Sequence, residues 1–435
     1  MTAPAGGLAA WIAAQRWFSA KSHRIVGTRV EDRLRVGGGV VHLVRVELDD
    51  GSASTFVVPL RETSPPADAF DDPAFARALL DLIPSGGRVQ GEHGAIVGRP
   101  ASGFPADLPA GVTAHRLGGE QSNTSVTFGE ALIVKYFRRL VPGVNPELEI
   151  SRHLSERVAF PYTPRLAGAL DYVGADGQTA AFAVAHRLVA GGRDGWRWLL
   201  EALERGEDTR TALERLGART AALHLAFARD VADPAFDPET ITTADVTRWT
   251  SAVQAQLDAA RSALGGRLPD GVPPGVDGRG LAGLVGAVKL RHHGDFHLGQ
   301  TLAVDDGAEF YIIDFEGEPL RSLEERRRKH TPLRDVAGML RSLGYAAATA
   351  GAPAGWEAAA RAAFLAGYRA TAGRAPFLPD GGAVFARALA VLEVEKAAYE
   401  IVYEANNRPD WVAIPARGLV TATAALRSDR AAGGS

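Results

Sequence analysis

Three histidines, an aspartate and a glutamine crowd into residues 291–300, RHHGDFHLGQ, and the apolar run YIIDFE follows at 311–316. These types, in this order, suit phosphoryl transfer. The carboxylate of Asp295 can accept the proton of an attacking hydroxyl. The amide oxygen of Gln300 and the carboxylate of Asp314 can hold Mg²⁺ against phosphates. TLAV and EFYIID read as two short strands joined by a DDGA turn, a hairpin whose ends bring Gln300 and Asp314 to one place.

Protein kinases do this work with H-R-D-x-x-x-x-N followed by D-F-G. Here the pair is H-G-D-x-x-x-x-Q followed by D-F-E. Two other readings compete. His292, His293, Asp295 and His297 are a possible zinc set, but Gly294 interrupts any helix that would align His293 with His297, and Gln300 and Asp314 are left without a role. A buried His-rich turn with structural hydrogen bonds is the second. The order and spacing of the two motifs favour phosphoryl transfer, with His293 bracing the loop rather than reacting.

Phosphoryl transfer requires further elements upstream. A cation must meet the α- and β-phosphates, and Lys135 sits inside the apolar strand ALIVKYF. The chain has only five lysines, at 21, 135, 289, 329 and 396, so a lysine in such a setting stands out. An acidic partner belongs on the next helix, NPELEISRHL, which offers Glu147 and Glu149; Glu149 is preferred. Asn145 caps that helix, with Pro146 in its first turn. A turn over the phosphates is offered by LGGEQSNTSV, where Gly118 and Gly119 permit close backbone approach and Ser122, Asn123 and Thr124 supply donors. AHRLV leads into a hinge at 189–195, where backbone groups at His186 and Leu188 are expected to hold the adenine edge.

The rest of the chain supplies the frame. Residues 1–110 open with a short helix and three alternating strands, 111–193 are rich in short strands, and 194–435 are mostly helical by their 3.6-residue periodicity. The implied architecture is two lobes facing a cleft, with closure about the hinge. The loop-rich stretches 85–94 and 100–111 read as punctuation, and the tail RAAGGS as disordered. The net charge of −3 gives no electrostatic case for nucleic acid or an anionic membrane. The absence of cysteine excludes disulfides and thiolate sites. No apolar run approaches the ~20 residues of a membrane span, and the N-terminus lacks the pattern of a signal peptide. A cytoplasmic protein, monomeric and acting on a small molecule, is the expectation.

QRWFSAKS (15–22), the 117–135 region, HHGDFHLGQ, IIDFEGEP, LRDVAGMLRSLGYAA (333–347) and EKAAYEIVYEANNRPDW (395–411) together resemble the aminoglycoside phosphotransferase branch of the protein-kinase-like superfamily, and within it the bacterial maltokinases and their glucosamine kinase relatives. The resemblance spans nearly the whole chain. It implies an α+β, bilobal, aminoglycoside phosphotransferase-like fold with an N-terminal β-rich cap, a β-rich intermediate subdomain and a helical C-terminal lobe. It also implies ATP and Mg²⁺, with a sugar hydroxyl as acceptor. Carried onto these residues, it makes Asp295 the base, Gln300 and Asp314 the metal ligands, Lys135 the phosphate lysine and Glu149 its partner.

For the acceptor, Glu400, Glu404, Asn407 and Trp411 fall at i, i+4, i+7 and i+11 on one helical face, joined by Tyr403 and, from the loop, His297. A tryptophan face with carboxylate and amide partners suits a sugar. Two departures from the maltokinase pattern bear on its identity. The N-terminal motif reads SAKSH rather than a Gly-Lys-Gly form, and Asn406 stands where many of these chains carry a basic residue. Without that cation, Glu400 or Glu404 would be free to meet an ammonium group. Glucosamine, phosphorylated to glucosamine 6-phosphate, is therefore the expected reaction. Maltose 1-phosphate synthesis and aminoglycoside phosphorylation are the alternatives within enzymes, and a pseudokinase-like nucleotide-binding module the alternative outside them.

Overall fold

The computed structural model describes residues 5–432, apart from 19, 22, 64, 119–121, 277 and 320. Gly119, part of the expected phosphate turn, and the last residues of the expected disordered tail lie outside the described residues. The chain divides into two compact units, Met1–Ala190 and Gly191–Ser435. Among the described residues no helix is long and apolar enough to cross a membrane.

The first unit opens with α1 (Ala5–Ala14) and the strands β1 (Ile25–Val36), β2 (Gly39–Leu48) and β3 (Ala53–Arg61). These form an antiparallel sheet, joined at its far edge by the two-residue strand Arg139–Leu140. Both of its faces are covered, which explains the near-continuous apolar runs. Val44, Val46, Phe56 and Val58 pack with Leu8, Ile12, Trp17 and Phe18 on one side. Val41, Leu43 and Val57 point the other way and join a second core, as the two-residue strand period requires. Helix α2 (Pro73–Leu80) starts where Asp72 accepts from the Ala74 amide and Pro73 takes the first position.

The strands β4 (Arg88–Gln90), β5 (Gly94–Pro100), β6 (Ala114–Arg116), β7 (Asn123–Phe128), β8 (Leu132–Phe137) and β9 (Arg139–Leu140) lead to helix α3 (Pro146–Arg152), and β10 (Leu166–Gly174) and β11 (Thr179–Arg187) follow. Seven of them form one antiparallel sheet in the order β4-β5-β10-β11-β8-β7-β6. The pairing of β5 with β10 carries this sheet across residue 110, where sequence patterning suggested a boundary. The 85–94 stretch contains β4, which the many glycines around it disguise as a loop.

Arg138, between β8 and β9, is fully buried. Its guanidinium lies 5.1 Å from the Trp17 ring and 5.0 Å from the Phe70 ring, and it pairs with Asp68 at 2.5 Å. A charge this deep persists because a carboxylate, two aromatic faces and the Thr124 hydroxyl (2.8 Å) compensate it.

The second unit begins with β12 (Arg193–Asp194), α4 (Gly195–Glu204), α5 (Arg210–Phe227), β13 (Glu239–Thr240) and α6 (Thr243–Ala263). Next come β14 (Val288–Lys289), β15 (Thr301–Val304) and β16 (Glu309–Ile312), then α7 (Leu333–Ala350), α8 (Trp356–Ala372), α9 (Gly382–Asn407) and α10 (Ala413–Ala432). The hairpin anticipated from sequence is present: β15 pairs with β16 in the register Thr301↔Ile312. The C-terminal end of the expected hinge, Arg193–Asp194, is itself a strand paired to β15.

Candidate active site

The 291–300 loop enters from β14 and is held by its backbone. The amides of His293 and Gly294 donate to the two carboxylate oxygens of Asp335, at 2.8 and 3.0 Å. Asp335 sits in the first turn of α7 and is buried. Burial alone would raise its pKa; the His224 hydrogen bond (3.1 Å) and the nearby histidines outweigh that and hold it below the usual carboxylate range. His224 is fixed in turn by the Tyr368 hydroxyl at 2.9 Å. Gly294 has φ +87°, a region glycine enters without strain. Gly338 lets α7 press on the loop, because a Cβ there would stand 2.6 Å from the Phe296 carbonyl oxygen.

His293 braces the loop as expected. Its Nε2 donates to the Ile313 carbonyl (2.9 Å), so its Nδ1 is the acceptor facing the Asp295 amide (3.4 Å). The zinc reading fails on geometry: among the described residues, His292, His293, Asp295 and His297 do not bring three ligand atoms within 4.8 Å of one another.

Gln300 and Asp314 occupy the two ends of the hairpin, tied by the Ile313 amide donating to the Gln300 carbonyl at 3.0 Å. Asp314 has φ +65°, a strained value for a non-glycine residue. Glu316, the acid of D-F-E, brings a carboxylate oxygen within 4.8 Å of one on Asp314. Carboxylate and amide oxygens are the donor set that a hard cation such as Mg²⁺ prefers, so these residues fit the metal the sequence implies.

Asp295 lines a cavity of about 430 Å³ whose other walls include His297, Lys396, Glu400, Tyr403 and Trp411. Lys396, Tyr399, Glu400, Tyr403 and Glu404 all face it from α9, at i, i+3, i+4, i+7 and i+8, one stripe of a helix. Asp194 and Trp196 reach it from β12 and α4. His297 accepts at Nδ1 from the Gly299 amide (3.1 Å), which leaves its proton on Nε2. Burial pushes this imidazole down, so it stays neutral and can donate to a hydroxyl.

Three features of this cavity differ from the sequence expectation. Helix α9 ends at Asn407, because Arg408 takes φ −146° ahead of Pro409. Trp411 therefore arrives on a separate turn, Pro409–Trp411, rather than as the next step of the helix. Asn407 is exposed and its side-chain amide donates to the Tyr403 carbonyl (2.8 Å), so it does not line the cavity. Nor are the two glutamates free of cations. Arg408 grips Glu404 with two bonds of 2.7 and 2.8 Å, and Arg341 donates to Glu400 at 3.0 Å. The basic residue absent at 406 is supplied two positions on and from α7. Burial nonetheless raises the Glu400 pKa, against the pull of Arg341 and Lys396.

The largest omission from the sequence reading is Lys396. Its ammonium lies 2.9 Å from Asp295 Oδ1 and 2.9 Å from Glu318 Oε1, and is mostly buried. Burial would lower its pKa, but the two carboxylates more than reverse that and keep it charged. Glu318 is also paired with Arg321 and Arg334. Two signals were available: lysine is scarce here, and EGEP carries a second acid just after Asp314.

In the first unit, Lys135 Nζ meets Glu147 Oε2 at 2.9 Å, with the side chain of Glu147 almost fully buried. The partner is thus Glu147, not Glu149. With Asn145 capping α3, Glu147 falls on the buried face, and Glu149 lies about 200° further round. Thr124 does not belong to a phosphate turn; it is buried against Arg138. Ser122 is exposed and Asn123 opens β7. His186 lies 2.9 Å from the Ser151 hydroxyl. The amides of Arg187 and Leu188 already donate to Arg165 and Ala131 carbonyls, at 2.9 and 3.0 Å. An adenine donor at Leu188 is therefore excluded unless that bond breaks.

Comparison with known proteins places this geometry in context. The family model of the maltokinase N-terminal cap domain matches residues 11–80. A glucosamine kinase of Streptacidiphilus jiangxiensis is 30% identical over 407 residues, covering 88% of this chain and 83% of the relative. The crystal structure of a glucosamine kinase (crystal form A) superposes with a TM-score of 0.69 at 24% identity, covering 99% of this chain and all of the other, and shares the fold. A structure of a glucosamine kinase in complex with glucosamine, ADP and inorganic phosphate gives a TM-score of 0.62 at 25% identity, covering 97% and 99%. By the identity and extent of its match to the Streptacidiphilus jiangxiensis relative, the chain belongs to the glucosamine kinase family.

Proposed function

We propose that this protein transfers the γ-phosphate of ATP to the 6-hydroxyl of glucosamine. The sugar sits in the α9 cavity. The observation that carries this reading is the lining of that cavity: Asp194, Asp295, Glu400 and Glu404 face it, and although Lys396, Arg341 and Arg408 pair the last three, Asp194 has no ion pair among the described residues and can meet an ammonium group. An acid-rich, aromatic-walled pocket favours a cationic sugar over a neutral one. The family relationship supports the same substrate.

In this mechanism Asp295, held at Oδ1 by Lys396, presents Oδ2 to the acceptor hydroxyl and takes its proton as the oxygen attacks phosphorus. His297 orients the sugar by donating from Nε2. Gln300 and Asp314, with Glu316 beside them, would hold Mg²⁺, which when bound would neutralise phosphate charge. Lys135, oriented by Glu147, serves the α- and β-phosphates. Ser122 and Asn123 remain candidates for the phosphate turn, and the carbonyls near His186 and Leu188 for the adenine edge. The chain is read as a cap, a β-rich part and a helical part; the cap match at 11–80 supports the first, and the division at Ala190 supports the last.

A coupled assay of ADP release on glucosamine, glucose, maltose and an aminoglycoside panel tests the proposal. Turnover is expected on glucosamine. Turnover on maltose with none on glucosamine would establish the second reading, which the maltokinase cap match favours.

A further inference from the structure

A second cavity in the helical unit, about 330 Å³ in volume, shares no lining residue with the first. Six cations line it: Arg248, Lys289, Arg291, Arg327, Arg328 and Lys329. Only Glu239 and Glu324 face them from its walls, and Asp245 stands behind. Lys289 and Lys329 are two of only five lysines in the chain. Cations thus outnumber carboxylates two to one here, in a protein whose net charge is −3.

The floor of this cavity is preorganised. Lys289 is fixed by Asp245 at 2.8 Å and Glu239 at 3.3 Å, and Lys329 by Glu239 at 2.6 Å and the Pro234 carbonyl at 2.7 Å. Both ammoniums are nearly buried. Arg248 and Arg328 are half exposed at the rim, and among the described residues each is ion-paired only with an acid on its own helix or the adjoining turn. Their planar forks can turn toward an incoming oxyanion. Like charges gathered this closely repel one another, and an anion between them would relieve that. The concavity has the size of a small-molecule site.

We infer that this cavity binds a small phosphate-bearing metabolite, at a site separate from that of phosphoryl transfer. Its position gives such binding a consequence. Lys289 and Arg291 flank Leu290, which bridges to His330, and the same segment runs on into the loop bearing Asp295. The occupant would rest on the strand that delivers the catalytic loop.

The test is an equilibrium titration of the full chain with glucosamine 6-phosphate and with inorganic phosphate, while a saturating non-hydrolysable ATP analogue with Mg²⁺ and glucosamine fill the active site, the γ-phosphate position included. Citrate and a short RNA serve as comparison ligands. Saturable phosphate-ester or phosphate binding is expected to persist in the wild type and in Lys135→Met. It is expected to weaken by about tenfold or more in the Arg248→Gln, Arg328→Gln double variant, whose exposed substitutions leave the melting temperature in place. No binding once the active site is filled, or equal binding by the double variant, overturns the inference. Tighter binding of citrate or RNA than of either phosphate overturns the ligand class. Binding of glucosamine 6-phosphate but not inorganic phosphate assigns the site to the ester.

Discussion

At Asp295 one carboxylate oxygen is held by an ammonium while the residue lines the cavity, so Lys396 bears on which way the proposed base points. Replacing Asp295 by Asn keeps the shape and removes the proton acceptor; kcat is expected to fall by on the order of 10²–10⁴, with the melting temperature and Mg·ATP binding unchanged. Near-full turnover would end its assignment as base. Lys396→Met leaves Asp295 present but unheld. We expect kcat to drop on the order of 100-fold while KM for ATP barely moves, with Lys396→Arg recovering part of the loss. A purely structural lysine would show no such split and no such recovery. For the upstream pair, Glu147→Gln is expected to impair turnover roughly tenfold or more, whereas Glu149→Gln stays near wild type. The reverse ranking would restore the partner first read from the sequence.

Among the elements, α7 does most to fix the catalytic loop. Its first turn presents Asp335 to two loop amides and to His224, and Gly338 allows backbone contact one turn further along. Each bond from an amide to a charged acceptor contributes about 1.5–3 kcal/mol. Asp335→Asn replaces one of the two acceptors by a donor. We expect a loss of about 2–3 kcal/mol, read as a lower melting temperature, together with faster hydrogen exchange at His293 and Gly294. Unchanged protection of those amides would show that the loop is held by something else. Helix α9 contributes differently: its polar stripe is the wall of the acceptor cavity, and its end at Asn407 sets where Trp411 can turn back.

For the molecule as a whole, acid is the condition that bears on stability. His292 is buried, and burial lowers its pKa from about 6.5 to about 4. His330, stacked on Trp249 with ring centroids 4.0 Å apart, is lowered well below its ordinary value by the same cause. Between the folded value of His292 and the ordinary one, the unfolded chain binds more protons than the folded chain. Stability is therefore complete above pH ~6.5 and lost as pH falls toward ~4, by on the order of 3 kcal/mol for His292 alone. Asp335, with its lowered pKa, acts in the same direction at still lower pH. The melting temperature is expected to decline over that window, and less steeply in a His292→Gln variant. A flat profile from pH 7 to 4.5 would contradict the buried neutral state of these rings.

The sequence by itself determined the local devices. Asn145 and Pro146 mark the start of α3, the DDGA turn makes the hairpin that joins Gln300 to Asp314, and the 3.6-residue stripe on α9 marks the acceptor wall; each depends on residues a few positions apart, so short-range stereochemistry suffices. The choice of Glu147 over Glu149, the bond from Lys396 to Asp295, and the cation that meets Glu400 were settled only by tertiary structure, whereas Arg408, which grips Glu404, stands four residues along the chain. The first three contacts join residues 12, 101 and 59 positions apart, from Lys135 to Glu147, Asp295 to Lys396 and Arg341 to Glu400. Which face of a helix is buried, and which charge lies opposite, depends on how the elements pack, and spacing along the chain does not encode it.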